Sequence, residues 1–142
     1  MASFVKFNKF LEQLAEKKYD LGSDTLKFAL TNTAPTAASD TVFDPVTKHP
    51  PPTEAHGYTT GGHAATIASS SESGGTYTLA CTTDVVITAA GGTIGPFRYV
   101  ILYDDDATSD ELIGYWDYGS SITLAEGETF TIDVTASLLT IT

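Results

Sequence analysis

From Phe4 to about Tyr19, the apolar residues Phe4, Phe7, Phe10, Leu11, Leu14 and Ala15 recur at intervals of three and four, with Lys6, Lys9, Glu12, Glu16 and Lys17 mostly between them. On a helix this spacing gathers the apolar residues into one stripe, so it predicts an amphipathic α-helix within residues 1–24. Ser3 is placed to cap its start, and Gly22, just after Leu21, to end it in a left-handed conformation. Three phenylalanines on one stripe do not stay in water. The helix must dock on its own domain or on a neighbouring chain, and Phe4, Phe7 and Phe10 become candidates for a partner contact.

The period then changes to two. Leu26, Phe28 and Leu30 alternate with Lys27 and Ala29, which predicts a strand over 25–31 with one buried face. From Asn32 to Gly62 neither period is present, and the run His49-Pro50-Pro51-Pro52 cannot donate ladder hydrogen bonds and favours extended geometry. A stretch this long without periodicity is uncommon inside a small domain and reads as an exposed, extended arm or loop at 32–62. His49, Pro50, Pro51 and Pro52 are therefore further contact candidates.

Beyond His63 the chain is a succession of threonine-rich strand candidates: 63–70, 76–82, 85–89, 97–104, 112–118, 121–124, 128–135 and 138–142. Ser73-Gly74-Gly75, Gly91-Gly92, Gly95-Pro96, Tyr118-Gly119-Ser120 and Glu126-Gly127 punctuate them as turns. Arg98 to Tyr103 is apolar on both parities and belongs between two packed layers. Phe130, Ile132 and Val134 alternate with Thr129, Thr131, Asp133 and Thr135, so that strand shows one face to solvent. The expected fold is mainly β: one antiparallel β-sandwich over 25–142, jelly-roll or Ig-like, preceded by the N-terminal helix.

Composition adds limits. A chain of 142 residues with 42% hydrophobic and 11% aromatic residues can bury a core without disulfides or metal. The lone Cys81 excludes a disulfide scaffold, and at period two from Tyr77 and Leu79 it reads as a buried hydrophobe. The formal charge is −11, all of it from 49–142, where Arg98 is the only base; residues 1–48 balance to zero. Such a surface repels phosphate backbones, so neither nucleic acid nor an anionic membrane is an expected partner. With no apolar run of membrane-spanning length and no secretory pattern at the start, a soluble, cytoplasmically made protein is expected.

Catalytic signatures are missing from the sequence: no nucleophile elbow, phosphate loop, dinucleotide fingerprint or His-Glu-x-x-His. His49, His56 and His63, spaced by sevens near Glu54, carry zinc-type donors on a loop that nothing holds in place. Asp104, Asp105, Asp106, Asp110 and Glu111 crowd a tip that reads as a solvated hairpin end, with calcium the alternative, although the alternating spacing of the helix-loop-helix site is missing. Tyr115-Trp116-Asp117-Tyr118 offers aromatic rings to a sugar, but Tyr115 and Trp116 point to opposite sides of a strand, so one belongs to the core and the other to an interface. No catalytic residue, cofactor or metal is expected.

Three groups of segments resemble small structural proteins of tailed bacteriophages. The first runs from Lys6-Phe7-Asn8-Lys9-Phe10 through Asp20-Leu21-Gly22-Ser23-Asp24-Thr25-Leu26-Lys27 to Leu30-Thr31-Asn32-Thr33-Ala34-Pro35. The second is Gly92-Thr93-Ile94-Gly95-Pro96-Phe97-Arg98-Tyr99, continuing through Tyr103. The third is Leu112-Ile113-Gly114-Tyr115-Trp116-Asp117-Tyr118-Gly119 with Gly127-Glu128-Thr129-Phe130-Thr131. The resemblance spans the chain except the proline-rich loop, and its segments mark a family without marking an active site. It implies a virion component made in the host cytoplasm: a capsid decoration or cement protein that binds the major capsid protein as a homo-oligomer, a trimer being favoured. The alternatives are a tail, neck or fibre component, or a carbohydrate-binding β-sandwich module, which would expose Trp116 or Tyr118 beside a groove.

Overall fold

The computed structural model describes residues 2–142. Their elements run β1 (Phe4–Lys6), α1 (Phe10–Ala15), β2 (Leu26–Thr31), β3 (His63–Ala64), β4 (Ile67–Ser73), β5 (Thr76–Cys81), β6 (Val85–Thr88), β7 (Ile94–Asp104), β8 (Leu112–Leu124), β9 (Thr129–Ile132) and β10 (Leu139–Ile141). The fold is mainly β with one short helix near the N-terminus. Every strand pairing is antiparallel. Five strands form one sheet in the order β1-β8-β7-β2-β3, three form another as β10-β5-β4, and β6-β9 make a two-stranded ribbon. No helix among the described residues is long and apolar enough to cross a membrane.

The five-stranded sheet buries both faces, and strand parity decides which residue goes where. Leu26, Phe28 and Leu30 of β2 and Val100 and Leu102 of β7 join the larger core, together with Leu79 and Cys81 of β5, Ile87 of β6, Ile132 of β9 and Leu139 of β10. Both smaller sheets thus cover this face. Ala29 of β2 and Ile101 and Tyr103 of β7 point the other way, into a second core with Leu112, Phe7 and Phe43. The run that is apolar on both parities is central, as its pattern predicts. In β8 the parity flips at Ile113, because Leu102 pairs with Gly114 while Tyr103 pairs with Leu112, leaving Ile113 as the extra residue of a bulge. On β9, Ile132 is buried and Thr129 and Thr131 are exposed, as expected of a strand with one wet face.

The N-terminus departs from the expected helix. Residues 4–6 pair with β8, Phe4 opposite Trp116 and Lys6 opposite Gly114, and the helix is only Phe10–Ala15. Residues three apart share a face on a helix but take opposite faces on extended chain. Accordingly Phe4 packs on Trp116 at 5.0 Å between ring centroids, beside the larger core, while Phe7 packs on Tyr115 at 5.4 Å in the second. Gly114 makes this possible: a Cβ there would lie 2.2 Å from the Phe4 ring. Ser3 caps no helix, since the cap position is Lys9. Nor does Gly22 end one. Lys17, at φ 63°, takes the left-handed position, with its N–H donating to Leu14 O and the Lys18 N–H to Gln13 O in a Schellman arrangement.

Two expected turns lie within strands. Gly95-Pro96 sits inside β7 at a shift of register between Ile94 and Phe97. Tyr118-Gly119-Ser120 sits inside β8, which is one strand where two were expected. From Tyr99 to Phe97 β7 advances two residues while β8 advances from Asp117 to Ile122, so 118–121 bulge outward, with Gly119 at φ 98°. The turn residues mark a break in the ladder, without reversing the chain.

The 32–62 segment is not an exposed arm. Phe43, His49 and Tyr58 are buried. Its first half covers the second face of the sheet: Val42 bridges Glu111, Phe43 N–H donates to Asp110 O at 2.8 Å, and Leu112 N–H donates to Thr41 O at 3.0 Å. Its second half closes the β2 edge beyond β3, where Leu30 N–H donates to the Tyr58 hydroxyl at 2.8 Å and the Thr31 hydroxyl to Pro50 O at 2.8 Å. An open edge would otherwise invite strand addition.

Candidate functional site

The contact candidates separate in the fold. Phe7, Phe10 and His49 are fully buried within the chain and offer no side-chain surface to a neighbour. Phe4 is half-buried against Trp116, Pro51 and Pro52 are half-buried, and Pro50 is exposed. The stripe therefore serves this domain's own cores, and the outward part of the candidate set is the proline run.

Next to that run stands a turn that no hydrophobic period marks in the sequence. The Asp44 carboxylate accepts the N–H groups of Val46 and Thr47, both at 3.0 Å, and the Thr47 hydroxyl. This is an Asx-type turn, for which Asp44-Pro45 was the available signal. His49 closes it: its Nδ1 accepts the Asp44 N–H at 3.1 Å, which places the ring proton on Nε2, 3.4 Å from Asp40 Oδ2. The imidazole stacks on Phe43, and Phe43 stacks on Tyr103 with centroids 4.3 Å apart. Burial holds His49 below its usual 6.5 despite the pull of Asp40. Burial alone would raise Asp40, but the Thr36 N–H and the Lys48 ammonium outweigh it and hold the carboxyl below its usual range. At the tip of this braced turn Val46 is 84% exposed.

A concave surface lies by the β8 bulge. Trp116, Tyr118, Phe130, Asp133 and Ser137 line a cleft of about 360 Å³, and Tyr118 is 56% exposed with its ring 6.0 Å from that of Phe130. The bulge supplies that exposure. Tyr115 and Trp116 do take opposite faces, but each joins a core, Trp116 against Phe28 at 6.0 Å and Tyr115 against Phe7.

Of the groups with reactive chemistry, Cys81 is buried as its spacing predicts, and burial together with Asp84 raises its thiol. The histidines do not converge: His49 is held at the turn, His56 lies over Gly92, and His63 belongs to β3 and packs near Tyr58. Among the described residues no group of three or more His, Cys, Asp or Glu side chains is placed to hold a metal ion. The acidic tip is less solvated than expected, since Asp104 and Glu111 are buried; Asp104 accepts two backbone N–H groups of the connection and Glu111 accepts one. Where Arg98 meets Asp117, two parallel bonds of 2.7 and 2.9 Å tie β7 to β8.

No family model, curated protein or solved structure matches this chain.

Proposed function

We propose that this protein is a structural component of a tailed-phage particle, a decoration or cement protein that adheres to the major capsid protein as a homo-oligomer, with a trimer the favoured form. In this reading the two layers are a β-sandwich of the jelly-roll or Ig-like kind, made in the host cytoplasm and destined for the virion surface. The observation that carries the reading is the braced turn at 44–49. An apolar side chain held outward on a pre-organised turn loses little further freedom on docking, and the neighbouring Pro50 is stiff as well. Copies linked by symmetry add such small contacts into firm attachment. The acidic charge and the Ser/Thr-rich edge strand β4, broken by a register shift between Ile67 and Ser69, suit crowding at high copy number.

The test is binding to undecorated shells, read by co-sedimentation and by cryo-electron microscopy of the particle. Val46→Asp should lower occupancy about tenfold, as expected for a buried contact of roughly 1.4 kcal/mol. Full decoration by that variant refutes the contact, and density confined to the tail refutes the head assignment in favour of a tail or neck role.

A carbohydrate-binding role is favoured by one observation, the exposed Tyr118 ring beside its cleft. It requires glycan affinity that Tyr118→Ala abolishes, with Val46→Asp leaving it unchanged.

A further inference from the structure

Asp104, the last residue of β7, is fully buried, and its two oxygens are unequally served. Oδ1 accepts the backbone N–H of Asp106 at 2.9 Å and of Ala107 at 3.1 Å, capping the turn after the strand. Oδ2 is buried and has no donor among the described residues. Within hydrogen-bonding reach of this carboxyl is the carboxyl of Asp24, from the segment just ahead of β2. Backbone bonds fix the approach: Thr25 N–H donates to Asp106 Oδ2 at 2.6 Å, and Asp105 N–H to Thr25 O at 2.9 Å. Asp24 itself accepts the Asp20 N–H at 2.6 Å.

The charges around the pair do not neutralise it. From β2, Lys27 is engaged by Asp105 at 2.8 Å. From the start of the chain comes the Tyr19 hydroxyl, bonded to Leu112 O and Gln13, and from the far side of the hairpin the buried Glu111. Asp110, raised by burial and by Asp105 and Glu111, adds a further acid. A fully buried carboxyl with a second, half-buried carboxyl in reach resists ionising, and an acceptor facing an acceptor needs a hydrogen between them. Among the described residues the acids form no group able to hold a metal ion, which leaves the proton.

We infer that Asp24 and Asp104 share one proton at neutral pH, in an acid–carboxylate hydrogen bond that clips residues 20–25 to the tip of the β7–β8 hairpin and opens as the solution turns alkaline. Burial first, and Asp24 next, push Asp104 up to about 7 from an ordinary 3.8. Between those values the folded chain keeps a proton that the unfolded chain has released. The stabilisation is therefore whole below about pH 3.8, drains as pH rises towards 7, and is gone above it.

Carbon-13 titration of the side-chain carboxyls in the intact protein should show Asp104 holding its proton until near pH 7. Unfolding temperature should fall by roughly 5–10 °C between pH 5 and 8. Asp104→Asn and Asp24→Asn should each flatten that fall, because an amide supplies the hydrogen without titrating. If Asp104→Asn does not fold, Asp24→Asn decides, since it leaves the cap on Asp106 and Ala107 intact. Asp104 ionised by pH 5, or an unchanged fall in the variants, overturns the inference. So does recovery of the lost stability at pH 8 on adding calcium chloride, which would assign the gap to a cation.

Discussion

The five-stranded sheet is covered on one face by two further sheets and on the other by a chain segment with almost no regular structure. On the regular face, apolar side chains from seven strands interlock and backbone polar groups are satisfied mostly by ladders. On the irregular face, Phe43 and Phe7 supply the added apolar cover, and the backbone is satisfied by side chains, with Asp40, Asp44 and His49 taking the N–H groups that a ladder would have taken. Thus a loop can close a sheet where buried acceptors replace strand partners. The cost is dependence on titratable groups.

Phe28→Ala should strike hardest, costing about 4 kcal/mol through the cavity it leaves in the larger core, with a matching fall of the urea midpoint. Gly114→Ala should cost about 3 kcal/mol and loosen both faces together, because a methyl there displaces the Phe4 ring and with it the β1–β8 pairing; hydrogen exchange of residues 4–7 should quicken. Phe43→Ala should cost about 2 kcal/mol, since a loop collapses into its cavity more readily than a strand, and faster exchange should stay within 36–50. If Phe43→Ala unfolds the chain as completely as Phe28→Ala, the two faces are one cooperative unit and the contrast fails.

The smallest effect should lie in the response of the irregular face to pH. His49 is buried with its protonation disfavoured, so the unfolded chain takes up a proton below its 6.5 that the folded chain resists. The irregular cover should therefore weaken as pH falls below 6.5, by about 1 kcal/mol or less, whereas the Asp24–Asp104 clip weakens as pH rises. His49→Gln should remove the acid-side loss near neutrality, and exchange rates of 41–49 measured from pH 7 to 5 check it.

Local patterning carried the β class, the one wet face of β9, the burial of Cys81 and the two-sided burial of β7. Each follows from alternation along a few neighbouring residues, and alternation is a property of the strand itself. The N-terminus shows where that reasoning ends: a spacing of three and four is the same string whether Phe4, Phe7 and Phe10 share a helix face or divide between two cores, and only pairing with β8 decides. Likewise the aperiodic 32–62 stretch gave no hint that Phe43 and Tyr58 find pockets, or that Val46 is thrust outward between them. The meeting of Asp24 with Asp104 is illegible for the same reason. Sequence determines which side of an element is apolar, while its partners depend on which distant segments fold against it, a choice made by packing and by the satisfaction of buried polar groups across the whole chain.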